Sequence, residues 1–296
     1  MELEQLFWDI DDFCQSFEPD WRCLQLPETP AKRQRPPRLN LSEVMTVVIH
    51  FHASNYRTFK HYYIEHVAIY LRSAFPHLVS YNRFVELMSG AMLPLLVYLS
   101  RRKGEVTGIN YIDSTPIAVC HPRRANRHQV FETLAQWGKN SFGWYFGFKL
   151  HLVINERGAL LGFQLTPANP DARKPVPELV KGLSGKVFGD KGYISQALFE
   201  KLFSQGLQLV TPLKKNMHNR LLPIMDKLLL RKRSLIETVN DQLKNISQIA
   251  HSRHRSPINF LVNLIAGLIA YTYQEKKPSL NLDPTLLAQL PAAAVI

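Results

Sequence analysis

Apolar residues recur at helical spacing from the first turn of the chain: Leu3, Leu6, Phe7, Ile10, Phe13, Cys14 and Phe17. This periodicity predicts an amphipathic helix. Ala31 to Arg38, AKRQRPPR, reads as a linker, because Pro36 and Pro37 prevent helix. Helix resumes at Asn40, with Asn40 and Glu43 at capping-box spacing and Val44, Val47, Val48 and Phe51 forming an apolar face. A second helix is predicted from about Tyr56 to Arg72. A third is predicted from a Ser80 cap through Arg101, over Phe84, Leu87 and Met88. At Thr107 the period changes. Ile109, Tyr111, Ile117 and Val119 fall on one period-2 face, and Ile112 and Ala118 on the other, which predicts a central strand covered on both sides.

The rest alternates. Strands are predicted over Phe146–Ile154 and Ala159–Thr166 about a turn at Asn155–Gly158, then over Lys186–Asp190 and Leu207–Pro212. Helices are predicted over Pro175–Leu183, Ser195–Ser204 and most of Leu221–Ile249. The most apolar run, Ile258–Tyr273, is interrupted by Asn259 and Asn263 and is shorter than the ~20 residues of a spanning helix. It reads as a buried helix. The tail beyond Lys277 is rich in Pro and Ala and reads as peripheral.

Composition narrows the partners. The chain has 296 residues, enough for one large domain or two ordinary ones, and is 46% hydrophobic. Its net charge is +12. The first thirty residues hold eight acids and one base, a net of −7, so the remainder carries +19. Such an excess points to a polyanion, either nucleic acid or an anionic membrane. No long basic amphipathic helix accounts for it, which disfavours the membrane. The acidic helix at the start reads first as a solvated face, with a flap that shields a basic surface or docks on a partner as the sharper alternative. Cys14, Cys23 and Cys120 form no CxxC pair, so neither a disulfide framework nor a zinc knuckle is implied. The acidic N-terminus is no signal peptide, and a reducing cytoplasm is expected.

Three acids carry the candidate chemistry. Asp113 sits within the central strand, where an ionised carboxylate is costly unless paired, capping or metal-bound. Asp190 ends a later strand between Gly189 and Gly192, beside Lys191, and Glu237 lies on a closing helix. Parallel neighbouring strands put their carboxyl ends on one side, so the three can converge at one sheet edge. Clustered carboxylates repel unless cations intervene, and all-oxygen donors favour Mg2+ or Mn2+ over zinc. Two such ions about 3.5–4 Å apart suit phosphoryl transfer. Arg233, Glu237, Asp241 and Lys244 share one helical face, a spacing that a plain salt-bridge ladder would also have. Between Cys120 and Tyr145, Arg123, Arg124, Arg127, Trp137 and Lys139 interleave bases with rings, which suits phosphates and unstacked bases or an ordinary loop with its own core. Tyr81, Asn82 and Arg83 open a helix, as in a helix-turn-helix recognition helix or in a plain bundle.

The pieces IDSTPI around Asp113, FGFKLHLVIN, GDKGYI around Asp190, and Arg233-x3-Glu237-x6-Lys244 span Tyr111 to Lys244. In that order they resemble a DDE transposase of the IS982 insertion-sequence family, related to the IS4 and IS5 groups. SYNRFVELM, Ser80 to Met88, also resembles that family. Where the IS4 signature has a Tyr three residues before its Arg, this chain has Leu230. The resemblance implies an α/β protein: an all-α DNA-binding region over 1–105, then an RNase H-like mixed-sheet catalytic core over 106–296. It implies a divalent-metal site of Asp113, Asp190 and Glu237, with Asp241 the rival for the third position. Two Mg2+ or Mn2+ ions would serve DNA cleavage at the element ends and strand transfer. The expected partners are double-stranded DNA, as terminal inverted repeats and target, and a second copy of the chain. Arg233 and Lys244 would grip phosphates, with Lys149 and His151 of the FKLHL strand as further contacts near Asp113. The rival readings are a stand-alone nuclease with the same core and a DNA-binding descendant that has lost catalysis.

Overall fold

The computed structural model describes residues 2–24, 38–141, 143–214, 217, 222–250 and 254–280, with the side chains of 22–24 left aside. The linker before Arg38, Phe142 and the tail beyond 280 lie outside them. Contacts divide the chain into two units, Met1–Arg102 with Leu243–Gln274, and Lys103–Gln242 with Glu275–Ile296. The sequence placed all of 106–296 in one region, whereas Leu243–Gln274 groups with the N-terminal helices.

The first unit is helical. Helix α1 (Leu3–Leu24) buries Leu6, Ile10, Phe13, Cys14 and Phe17 and leaves Glu4, Asp12 and Asp20 in solvent. Helix α2 (Leu41–Phe51) begins where the Asn40 N–H donates to Glu43 Oε2 at 2.7 Å. Next come α3 (Phe59–His61), a π-helical turn (Tyr62–Val67) and α4 (Ala68–Tyr70), in place of a single helix over 56–72. The helix predicted from Ser80 to Arg101 is two helices, α5 (Tyr81–Gly90) and α6 (Met92–Arg101), bent by 57°. Pro94 has no N–H to give to the Gly90 carbonyl, so the ladder breaks there. A later helix, Pro257–Thr272, is buried along most of its length in this unit. Among the described residues no single helix is long and apolar enough to cross a membrane.

The second unit is built on strand β1 (Ile109–Cys120). A short strand β2 (Gln136–Asn140), unpredicted, forms a hairpin with β3 (Gly143–Asn155), and β4 (Leu160–Pro167) returns along β3. Helix α7 (Val176–Leu179), strand β5 (Gly185–Phe188), helix α8 (Gln196–Ser204) and strand β6 (Leu207–Val210) follow, then α9 (Ile224–Arg231) and α10 (Ser234–Asn245). The Pro257–Thr272 helix is α11.

The sheet runs β2-β3-β1-β5-β6, with β4 also on β3. β1 occupies one edge of β3, so β4 along Phe148–Ile154 and β2 along Gly143–Gly147 share the other. β1 is antiparallel to β3 and β3 to β4, while β1–β5 and β5–β6 are parallel. A three-strand antiparallel meander followed by two parallel strands, with β1 central, is the RNase H-like arrangement.

Directly opposed residues point to the same face of an antiparallel pair. Ile112, facing Val153, therefore shares a face with it, and both pack with Val187 against Val176 and Val180 and against Leu198 and Leu202 of α8. On the other face Tyr111 donates its hydroxyl to the Leu229 carbonyl of α9 at 3.1 Å. Both faces of β1 are thus covered, as its apolar pattern predicts, although Ala118 near its end is exposed. Lys186 of β5 bonds both oxygens of Asp226, at 2.6 and 2.8 Å, and Asp226 is fully buried. That ion pair fixes α9 to the sheet.

Candidate active site

Asp113 sits mid-strand on the Tyr111 face, opposite Leu152 of β3. Its Oδ2 accepts a hydrogen bond from Asn240 Nδ2 of α10 at 2.9 Å. Asp190 lies just past β5, the parallel neighbour of β1, and caps a 3-10 turn (Lys191–Tyr193) by accepting from the Gly192 N–H at 2.9 Å. Glu237 stands in the first turn of α10, half exposed, and its Oε1 accepts from Arg233 at 2.6 Å. One acid therefore comes from the central strand, one from the carboxyl end of the adjacent parallel strand and one from the helix above.

Burial pushes the Asp113 carboxyl up to about 6. The Ser114 N–H and the Arg233 guanidinium oppose that rise, and the charges of Asp190 and Glu237 add to it. Asp113 is thus close enough to feel both of the other acids. Among the described residues, however, no three His, Cys, Asp or Glu side chains are set to hold a metal ion as they stand. Protein donors already meet each carboxylate: Asn240 and the Ser114 N–H on Asp113, the Gly192 N–H on Asp190 and Arg233 on Glu237. The donor chemistry fits a hard divalent cation, since every candidate ligand is a carboxylate oxygen and Asp113 is a half-buried acid whose ionised form lacks a full counter-charge.

The other candidates fall in three places. Lys149 and His151 lie one strand from Asp113, but their partners are Pro116 and Ser114, which puts them on the opposite face. This corrects their expected nearness to the acids. Lys149 Nζ donates to the Pro170 carbonyl at 2.7 Å, and His151 Nε2 pairs with Thr166 Oγ1 at 3.0 Å. Burial lowers the pKa of both, that of His151 to about 4. Arg123, Arg124 and Arg127 are exposed on a 3-10 turn (Pro122–Arg127). Lys139 on the β2–β3 hairpin has its ammonium 5.8 Å from the Trp144 ring, with Trp137 on the same strand partly exposed. In the first unit, Tyr81, Asn82 and Arg83 open α5, and Arg83 pairs with Glu86 at 2.7 Å. Tyr81 and Asn82 line a hollow of about 790 Å³ with Lys60, His254 and Arg255. Lys191 is exposed beside Asp190, and Lys244 is half-buried in the last turn of α10.

The sequence reading missed two residues of this site. Tyr193 is buried, and its phenol, held above the usual range by burial, feels Asp113, Asp190 and Arg233. Asn240 falls in the buried stripe Ile236, Val239, Asn240, Leu243 of α10. A polar residue at that period was a readable signal.

No curated protein matches the chain. Among solved structures it is similar to the Mos1 strand transfer complex, at 12% identity over 89% of this chain and 87% of that one, with a TM-score of 0.25. It is also similar to the Mos1 mariner paired end complex with Mn, at 12% identity, 88% and 85% coverage and a TM-score of 0.24. The family model described as a transposase DDE domain matches residues 103–257, more than half of the chain and every acid of the site, and the chain belongs to that family.

Proposed function

We propose that this transposase is of the IS982 insertion-sequence type, and that it cuts DNA at the ends of its element and joins the freed 3′-hydroxyl to target DNA. Asp113, Asp190 and Glu237 are its catalytic and metal-holding acids. The observation that carries this reading is the tie between Asp113 and the α10 helix that bears Glu237, made beside the strand end that bears Asp190. Mg2+ or Mn2+ bound there, two ions in the full site, would activate the attacking oxygen and neutralise the leaving one. Arg233 and Lys244 hold phosphates of the strand being cut, Arg as a bidentate fork and Lys as a point charge. Arg123, Arg124, Arg127, Trp137, Lys139 and Lys191 extend that grip along the catalytic unit. Tyr81, Asn82 and Arg83 contact the terminal repeat from the helical region over 1–105. Two copies of the chain bring the two ends together.

The test maps the products formed from end DNA and a plasmid target with Mg2+ or Mn2+. Cleaved ends and joined molecules are expected. Cleavage without joining would reduce the protein to a nuclease, and binding without metal-dependent cleavage would overturn the catalytic reading.

A further inference from the structure

The Asn240 carboxamide is 6% exposed, and its Nδ2 meets the Asp113 carboxylate at 2.9 Å across a sequence separation of 127 residues. Its carbonyl oxygen is also buried and has no partner. Its neighbours on the buried stripe of α10 are Ile236, Val239 and Leu243, all apolar. A buried amide with one end unsatisfied costs stability, and an apolar residue of the same shape removes that cost. Packing therefore gives no reason for an amide here, and its one hydrogen bond does.

We infer that Asn240 is a positioning residue for the acid site: it sets the plane of the Asp113 carboxylate relative to the helix that carries Glu237. The role rests on the metal-site reading above. A neutral donor suits it, because it fixes the carboxylate without competing with a cation for its charge. Arg or Lys at the same place would supply that charge itself. Outer partners that orient ligating carboxylates typically govern metal affinity by about 10–100-fold.

The test is Mn2+ titration of the full-length protein, followed by electron paramagnetic resonance and by thermal shift, for wild type, Asn240→Leu and Asp113→Asn. Leu keeps the branched four-atom skeleton of Asn, with somewhat more bulk, and removes the donor. The Leu variant should still unfold cooperatively in chelator, yet bind Mn2+ about 10–100-fold more weakly. Asp113→Asn should lose the tight site. Wild-type Mn2+ affinity in Asn240→Leu would overturn the assignment and leave the acid site standing, whatever its melting temperature. Absence of Mn2+ binding by the wild type, or equal binding by Asp113→Asn, would remove the acid site itself and the role of Asn240 with it. Should the Leu variant fail to fold, Asn240→Ala is read by the same titration and the same criteria.

Discussion

Arg233 donates to Glu237 Oε1 at 2.6 Å from one helical turn earlier, so the acid proposed as third ligand already has a cation beside it. Glu237 is half exposed, and pairs of this kind contribute only about 0.3–0.5 kcal/mol. Arg233→Ala should therefore leave the melting temperature nearly unchanged. As a phosphate grip its loss should lower end-DNA cleavage by tenfold or more, and Arg233→Lys should recover little of it. Calorimetry alongside a cleavage assay separates the two roles. Normal cleavage by Arg233→Ala would leave the pair as a structural contact with no part in gripping DNA.

On the proposed division of roles, acids to the chemistry and bases to the phosphates, Asp113→Asn, Asp190→Asn and Glu237→Gln should each abolish cleavage while retaining DNA binding. Asp241→Asn should cleave. Gel-shift and cleavage assays on the same preparations decide this, and a dead Asp241→Asn with an active Glu237→Gln would transfer the third position to Asp241.

The buried pair of Lys186 and Asp226 makes a stability prediction independent of DNA. Lys186→Met strands a carboxylate with no solvent and should cost about 3–5 kcal/mol. The double substitution Lys186→Met, Asp226→Leu should recover most of that loss. Urea unfolding of the three proteins measures both, and equal loss in single and double variants would show that the charges themselves carry the contact.

His151 is buried neutral, its pKa lowered to about 4 by burial and by Lys149, against an ordinary value of 6.5. The unfolded chain therefore takes up this proton first as pH falls. The stability associated with the neutral ring is complete above about 6.5 and is lost towards 4, by on the order of 3 kcal/mol. The wild-type advantage over His151→Gln should shrink across that interval in denaturant melts. A constant difference from pH 7 to pH 4 would mean the ring is not held neutral.

The fold was legible where period and cap agreed. The two-faced apolar pattern of β1 predicts a central strand, and Asn155–Gly158 predicts the turn, where the Asn155 side-chain oxygen accepts from the Arg157 and Ala159 N–H groups. The α5–α6 bend was missed because the apolar period runs on through it, although Gly90 and Pro94 both signalled a break. β2 was missed because Trp137 and Lys139 alternate about a glycine without a hydrophobic face. Gly138 sits so close to Ala168 and Tyr145 that no side chain fits there. The faces of Lys149 and His151 depended on the register of β3 against β1, which one strand's sequence does not contain.

Gly147 on β3 gives that register a further consequence. A Cβ at Gly147 would lie 2.1 Å from the Ile117 carbonyl, so the two backbones meet more closely than any side chain allows. Pairing of β1 with β3 is local, within one meander, whereas pairing of β1 with β5 closes a much longer loop, and long closures come late in folding. On that ordering Asp113 would form with the meander, and Asp190 and Glu237 with the later half. A refolding chain should thus protect the amides of β3 and β4 from exchange before it gains any affinity for Mn2+, and the competence to cut DNA should be the last property it acquires.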